Sequence, residues 1–257
     1  MPERALEEQG YLHYVAKARD VCSAQAFSLL RREFSLLERD EYSPQSTNRF
    51  RRYANGIILP WLDQRTVNWL PPVVDSAGVR RAGYGQGRFN PDHAGMRNFH
   101  ALSDEVKASP ALLELIREDF ALTFWPNGGH QFPIYVGVHF IKLTSPGPDR
   151  PGVSSPDCFH QDGEPFTFAH LIFRSPNSDG GVNFIGHPCL RDVSIEKAPS
   201  SSIKAQFTLA EPFDSFAVHD PKVTHYVSPI LKSKGVPGTE CERCIILIDF
   251  CPTVQQI

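Results

Sequence analysis

From Ile134 onward the chain is a series of short runs rich in β-branched and aromatic residues, and this constrains its fold more than any other feature. Ile134–Leu143, Phe166–Phe173, Ser215–Val218, Val223–Val227 and Cys244–Phe250 have strand length, and Gly, Pro, Asn, Asp and Ser separate them. Many short strands with turn signals suggest a sandwich or barrel, and a jelly roll is one such solution. The 257 residues suffice for one large domain, and a hydrophobic fraction of 41% is enough for a sizeable core.

The earlier part of the chain has a different period. Ala26, Leu29, Leu30, Phe34 and Leu37 recur at helical spacing, with Arg31, Arg32, Glu33 and Glu38 between them. Ser43-Pro44 is the predicted end of this helix. A second helix is predicted from Asp104 to Phe120, with Ser103 as N-cap and Leu112, Leu113, Ile116 and Phe120 as its apolar stripe. Pro110 falls inside it, which predicts two shorter helices with a break. The fold class expected is α+β, mainly β. It is a double-stranded β-helix (jelly roll) at residues 131–257, with a mainly helical N-terminal part, residues 1–130, packed on it as one domain.

Composition excludes several classes of function. A net charge of -3 gives no basic excess for nucleic acid. The longest apolar runs, such as Cys244–Ile248, are far short of a membrane span. The first residues, Met-Pro-Glu-Arg-Ala-Leu-Glu-Glu-Gln, lack the apolar core of a signal peptide, so a soluble, cytoplasmic protein is expected. The six cysteines are scattered, unlike a disulfide framework. Cys241-Glu-Arg-Cys244 has the C-x-x-C form, but no second pair follows, and ordinary reduced thiols are expected.

The chemistry is carried by Cys158-Phe-His-Gln-Asp-Gly-Glu164. His160 and Asp162 are two residues apart, which on a strand points both side chains to one face. An imidazole and a carboxylate side by side offer two ligands to a divalent metal. A second imidazole from a distant strand completes the facial 2-His-1-carboxylate site of non-heme Fe(II) oxygenases. His225 is the candidate, in Asp220-Pro-Lys-Val-Thr-His225. His219-Asp220 does not give two ligands on one strand face, because adjacent residues point to opposite sides, and the choice of His225 over His219 rests mostly on the resemblance given below. His139 and His170 lie within strand-like runs, where a hydrogen-bonded core role is the simpler reading; His93, His100, His130 and His187 are read as solvated loop residues.

Arg243 opens the last strong strand, and parity sets it on one face with Ile245 and Leu247. A guanidinium in an apolar barrel needs an anion, and a bound carboxylate would serve. The plainer alternative pairs Arg243 with Glu242, Asp249 or another carboxylate at the surface. Arg174 and Glu164 are candidates for the carboxylate or amine of a substrate, with surface salt bridging the equal alternative for each; Phe166, Phe168 and Ile245 are candidates for an apolar wall, with ordinary core packing the safer reading for any one of them. Tyr84-Gly-Gln-Gly-Arg88 looks superficially like a phosphate loop but reads as a turn, and Arg49-Phe-Arg-Arg52 reads as a solvated face or local salt-bridge partner. The Pro/Gly/Ser-rich stretch from Thr144 to Asp157 is a candidate lid.

Four blocks together resemble a known family: His160–Glu164, Phe173–Gly181, Asp220–Ile230 and Arg243–Phe250. They are similar to blocks of the 2-oxoglutarate/Fe(II) dioxygenases typified by bacterial L-isoleucine 4-hydroxylase, which act on free aliphatic amino acids. The resemblance spans roughly residues 49 to 250 and is strongest from His160 onward. It implies that His160, Asp162 and His225 bind Fe(II), and that Arg243 holds the distal carboxylate of 2-oxoglutarate. It also implies that dioxygen is the oxidant, with ascorbate as reductant in vitro, and that hydroxylation of an aliphatic C–H of a small L-amino acid is the reaction. The family includes fungal enzymes that close L-valine to an aziridine, so ring closure is the alternative outcome. The family favours a smaller residue where this chain has Tyr226, and an arginine where it has Lys142. Two other classes compete: a cupin-type metal enzyme without 2-oxoglutarate, and a non-catalytic jelly-roll binding module. No partner other than a small molecule is implied, and oligomeric state is left open.

Overall fold

The structure is a computed structural model that describes residues 2–86, 95–125, 131–154, 156–236 and 240–254. The chain opens with α1 (Pro2–Gln9), β1 (Tyr11–Val15), α2 (Ala18–Val21) and α3 (Ala24–Ser35). Five strands follow: β2 (Arg49–Ile58), β3 (Asn68–Trp69), β4 (Val73–Val74), β5 (Arg80–Gln86) and β6 (Gly95–His100). Two helices, α4 (Asp104–Lys107) and α5 (Pro110–Leu122), then lead into β7 (Ile134–Ser145) and β8 (Phe166–Arg174). The rest is β9 (Ser178–Gly180), β10 (Val182–Gly186), β11 (Ile203–Thr208), β12 (Asp214–His219), β13 (Thr224–Val227), β14 (Ile230–Lys232) and β15 (Cys241–Pro252).

The strands form a jelly roll. Its larger sheet has the order β1-β12-β8-β15-β7-β2-β3, and every pairing in it is antiparallel. Facing it is the sheet β11-β10-β13. A backbone bridge between His160 and His225 extends that smaller sheet by one residue. Two small sheets, β14-β9 and β4-β5-β6, flank the body.

Alternation along the central strands divides the interior into two compartments. Val136, Val138 and Phe140 of β7, Phe166 and Phe168 of β8, and Ile246, Ile248 and Phe250 of β15 share one core with Leu30 and Phe34 of α3 and Leu112 and Phe120 of α5. The opposite faces look into the jelly roll, where Ala169, Leu171 and Ile245 pack with Ile185, Phe216 and Val218. Sequence period accounts for this arrangement, since residues two apart on a strand share a face.

The helical expectations hold in outline. Ser103 Oγ accepts from Val106 N as the N-cap of α4, and Pro110 sits in the first turn of α5, so the break falls where predicted. Helix α3 stops at Ser35, well before Ser43-Pro44. The reason is the segment that follows, which pairs with β2: Asp40 N donates to Arg49 O (3.0 Å) and Arg51 N to Glu38 O (2.9 Å).

Residues 1–130 are also richer in strand than the mainly helical expectation. Strand β2 runs alongside β7 for ten residues, from Arg49↔Leu143 to Ile58↔Ile134. Its period was hidden because its buried face begins with Arg49 and Arg51 rather than apolar residues. Among the described residues no helix is long and apolar enough to cross a membrane.

A polar network pins α5 to the sheet. Asp119 and His170 are fully buried, with His170 Nε2 at 2.8 Å from Asp119 Oδ2 and Tyr14 Oη donating to Asp119 Oδ1 at 2.9 Å. The second ring nitrogen of His170 lies 2.8 Å from Ser215 Oγ. This is the hydrogen-bonded core role expected for His170. Asp119→Ala leaves the imidazole and the phenol without their partner inside the core. It is expected to lower folding stability by about 3–5 kcal/mol, read as a fall in the urea midpoint at unchanged slope.

Candidate active site

Three of the predicted residues meet at one point. One ligand atom from each of His160, Asp162 and His225 lies within 4.8 Å of the others. His225 Nε2 is 3.3 Å from Asp162 Oδ2, and His160 Nε2 is 3.7 Å from Asp162 Oδ1. The geometry has a local cause. His160 and His225 exchange backbone hydrogen bonds of 3.0 Å in both directions, which brings their side chains together at a ring distance of 4.2 Å. Asp162 follows two residues later. Gly163 then turns at φ +94°, a conformation that side chains other than glycine resist.

The donor set suits a divalent cation. Cys158 O accepts from His160 Nδ1 at 3.0 Å, so Nε2 carries the lone pair that faces Asp162. Burial, with His225 next to it, lowers His160 to about 4, so its imidazole is neutral. Burial works against the Asp162 carboxylate, but the His225 and His160 imidazoles outweigh it and hold that group below its usual range. Thr167 Oγ1 donates to Asp162 Oδ2 at 3.3 Å. No other group of three His, Cys, Asp or Glu side chains among the described residues has metal-binding spacing. All six cysteines are free thiols, Cys241 and Cys244 among them.

The loop that carries Asp162 is held from below by Asp220, whose bracing role no local sequence signal marks. Asp220 is buried, and its carboxylate accepts Asp162 N (3.0 Å) and Gly163 N (2.9 Å). Gln161 Nε2 donates to Asp220 O and Val223 O. The Asp220–His225 block thus supplies both an imidazole and the brace for the facing carboxylate.

Arg243 lines the same cavity and is 5% exposed. The surface pairing considered for it is not found. Glu242 pairs with Arg31 at 3.4 Å, and Asp249 lies 2.9 Å from His139. Among the described residues no carboxylate comes within ion-pair distance of Arg243, and its Nε has no partner. Burial, with Arg174 beside it, pulls its pKa down to about 9. A buried guanidinium in that state needs an anion, and an incoming carboxylate meets that need.

Other predicted contacts fall elsewhere. Phe166 and Phe168 do not face the cavity; they belong to the core beneath the helices, against Phe124 and Phe250. Counting from Asp162 failed because the strand begins only at Phe166, after the Gly163 turn, so Thr167 and Ala169 face inward instead. Ile245 does line the cavity, together with Leu247. Arg174 is outside it: its Nη2 donates to the carbonyls of Ser178 (2.8 Å) and Gly180 (2.9 Å), tying the β8–β9 turn. Glu164 does reach the cavity, where Tyr84 Oη donates to its Oε1 at 2.9 Å.

The remaining histidines divide as follows. His219 stacks on Phe166 at 5.0 Å, away from the three-residue cluster. His187 is exposed, and His100 is half-buried beside Glu38 at 3.3 Å. His93, His130 and Arg88 lie outside the described residues. Tyr226 and Lys142, the two departures from the family pattern, both point away from the cavity. Tyr226 bonds Asp157 at 3.1 Å and Lys142 lies over the Phe50 ring.

Several cavity residues were not foreseen. Arg49 and Arg51 are buried rather than solvated; the local salt-bridge role holds for Arg49, paired to Asp40 at 3.2 Å, and for Arg52, bridging Glu33 and Glu38. Tyr84 and Gln86 belong to strand β5 rather than a turn, and Gln86 Nε2 donates to Asp162 O at 2.9 Å. Arg97 of β6 donates to Gln86 Oε1 at 2.5 Å. His139 lies between Arg51 Nη2 (2.6 Å) and Asp249 Oδ2 (2.9 Å). The stretch after Thr144 is fastened by Gly152 N to Ile230 O (2.9 Å) and Val153 N to Thr47 O (2.8 Å), and Ser154 reaches the cavity wall.

Fold and site together define a class: a jelly-roll oxygenase whose cavity holds a two-histidine, one-carboxylate cluster and a buried arginine lacking an anion. The chain belongs to the 2OG-Fe dioxygenase family, whose sequence profile matches residues 31–240. Membership makes Fe(II), 2-oxoglutarate and dioxygen the cofactors of its class. Neither the cupin-type enzyme nor the binding module fits that membership.

A relative from Pantoea ananatis (strain AJ13355), 3(1)-hydroxy-L-isoleucine 4-dioxygenase, is 29% identical over 166 residues. That match covers 63% of this chain and 60% of the relative's own length. The crystal structure of IDO from Bacillus thuringiensis superposes with a TM-score of 0.72 at 22% identity, covering 98% of each chain. The Fe(II)/(alpha)ketoglutarate-dependent dioxygenase TqaL superposes at 0.71 with 14% identity, covering 99% of this chain and 87% of that one. At these identities the two structures speak for the fold alone.

The brace under the metal loop gives a direct test. Asp220→Ala removes the acceptor for two backbone N–H groups and frees Asp162 to move. Fe(II) affinity, measured by competition with a chelator, is expected to fall roughly 10- to 100-fold, with the secondary structure seen by circular dichroism unchanged.

Proposed function

We propose that residues 1–257 act as one catalytic unit that oxidises an aliphatic C–H bond of a small free L-amino acid, with hydroxylation as the outcome. The observation that carries this reading is one cavity with two features: the His160–Asp162–His225 cluster and the unpartnered guanidinium of Arg243. In this reading the three clustered residues hold Fe(II), and Arg243 holds the distal carboxylate of 2-oxoglutarate. Bound iron, 2-oxoglutarate and dioxygen together supply an oxidant for an unactivated C–H bond, with succinate as co-product.

The protein's own part is positional. Cys158 O fixes the tautomer of His160, and Asp220 and Thr167 fix Asp162. Ile141, Leu143, Ile245 and Leu247 line the wall near Arg243 and exclude water from it. The amino-acid class is supported by the Pantoea relative's own substrate, a hydroxylated isoleucine.

The test is succinate release by purified protein given Fe(II), ascorbate, 2-oxoglutarate and each of the common L-amino acids in turn, with mass spectrometry of the products. Substrate-stimulated succinate with a gain of one oxygen is the expected result. Loss of two hydrogens would mean ring closure or desaturation instead, and no stimulation by any amino acid would overturn the substrate class.

Two variants separate the proposed roles. His160→Ala is expected to abolish stoichiometric Fe(II) binding. Arg243→Ala is expected to keep iron but raise the 2-oxoglutarate concentration needed for half-maximal rate by roughly two orders of magnitude. An unchanged 2-oxoglutarate requirement would assign Arg243 a structural role.

A further inference from the structure

The end of the cavity farthest from Arg243 contains charges that the reading above leaves unused. Arg243 and Asp249 share one face of β15, roughly 20 Å apart along the strand. Asp249 is 4% exposed, and one of its oxygens, Oδ1, is buried without a partner. Glu164 Oε2 is also buried without a partner and lines the same cavity. In each case the other carboxylate oxygen is engaged: Tyr84 Oη donates to Glu164 Oε1, and His139 Nε2 lies against Asp249 Oδ2.

The direction of that second contact is fixed by chemistry. A guanidinium can only donate, so Arg51 Nη2 gives a hydrogen to His139 Nδ1 at 2.6 Å. The ring hydrogen of the neutral imidazole is then on Nε2, aimed at Asp249. Stacking on Tyr53 at 4.3 Å holds the ring in place. Gly137 leaves room for this arrangement. A Cβ there would lie 2.5 and 2.6 Å from the two Asp249 oxygens.

Opposite charges stand close by without neutralising these oxygens. Arg51 and Arg97 both lie over the Phe99 ring, at 4.1 and 5.5 Å. Their side-chain acceptors are neutral, His139 and Gln86, and the Nε of each is buried without a partner. Among the described residues neither guanidinium has a carboxylate within ion-pair distance. The cavity therefore holds two unfilled acceptors and two unfilled cations, all fixed in place by their neighbours.

We infer that Glu164 and Asp249 form a binding site for the substrate's ammonium group, and that Arg51 and Arg97 bind its α-carboxylate. This rests on the reading of the protein as an amino-acid oxygenase and adds what that reading leaves open: both charged ends of the zwitterion must be free. An ammonium offers three donors to the two waiting oxygens, and a carboxylate on the adjacent carbon meets the guanidinium pair. A dicarboxylate satisfies the arginines but sets a second anion against Glu164 and Asp249. An N-acylated or peptide-bound residue brings a neutral N–H in place of the cation and leaves buried acceptors unsatisfied.

The experiment is anaerobic calorimetric titration of protein loaded with Fe(II) and 2-oxoglutarate. Each common L-amino acid is tried, and the tightest binder is compared with its des-amino acid and its N-acetyl derivative. Wild-type protein is expected to bind both derivatives at least roughly 100-fold more weakly. Asp249→Asn and Glu164→Gln are near-isosteric. Each is expected to weaken the amino acid at least roughly tenfold while leaving the des-amino acid almost unaffected, so discrimination collapses. Iron stoichiometry and melting temperature are read on each variant, and if one fails to fold or to load iron the other decides.

Discrimination that survives in both variants, or wild-type protein indifferent to the amine, overturns the ammonium site while the amino-acid reading stands. If no amino acid binds and none stimulates succinate release, that reading falls and the site falls with it.

Discussion

The register of β15 is the constraint on which the rest of the molecule depends. Its even positions, Cys244, Ile246, Ile248 and Phe250, are buried against the helices. Its odd positions, Arg243, Ile245, Leu247 and Asp249, line the cavity. A slip of one residue against β7 or β8 would exchange the two sets. Arg243 and Asp249 would enter an apolar layer with nothing to meet them, at a penalty of several kcal/mol for each buried charge. The twelve paired positions between β15 and β7, from Cys241↔Ser145 to Pro252↔Ile134, leave no room for such a slip. Burial of one face thus fixes the chemistry of the other.

That chemistry relies on keeping buried charges apart. In a cavity lined by four arginines and three carboxylates, pairing every carboxylate with an arginine would leave a single charge for a ligand. Among the described residues only Arg49 of these arginines has such a partner, Asp40 at 3.2 Å. Elsewhere neutral groups stand between charges: His139 between Arg51 and Asp249, Gln86 beside Arg97, and Tyr84 on Glu164. The cost shows in the ionisation of the side chains. Burial and Asp162 push Asp249 up to about 7, and burial with Asp249 pushes Glu164 well above its usual range. Burial and Arg51 likewise pull Arg97 down. Low dielectric makes each unfilled charge costly and makes its eventual partner bind the more strongly.

The sequence disclosed one side of this arrangement much better than the other. The apolar runs of β7, β8, β12, β13 and β15 were legible because strand period and burial coincide there. The metal cluster was legible because His160 and Asp162 have the spacing of two ligands and the block around His225 resembles that of a known family, and Arg243 because it begins an otherwise apolar strand in that context. Strand β2 was not legible, since its inward face opens with Arg49 and Arg51, and a rule that reads inward as apolar places such residues in solvent. Phe166 and Phe168 were assigned to the wrong face for a simpler reason. Parity holds only within a continuous strand, and the turn at Gly163 breaks it between Asp162 and Phe166. His139, Asp249 and Gly137 form a unit only through register, at positions that no local pattern connects.

The two ends of the cavity differ in how they are built. Arg243 and His225 stand on strands of the jelly roll, and His160 is bridged to His225, so the sheet ladders position them directly. The other end draws Tyr84, Gln86 and Arg97 from β5 and β6, a small sheet whose Ala82, Tyr84 and Phe99 pack on Tyr53 of β2. Side-chain bonds fasten that sheet: Asn55 Nδ2 donates to Gly83 O at 3.1 Å, Tyr84 reaches Glu164, and Gln86 reaches the carbonyl of Asp162. The last of these bonds ties the sheet to the backbone of a proposed iron ligand. Any shift of β5 on binding substrate would therefore be felt at Asp162. In the proposed reading the amide of Gln86, whose oxygen accepts from Arg97, would link the substrate's carboxylate site to the metal cluster, alongside the Tyr84–Glu164 bond.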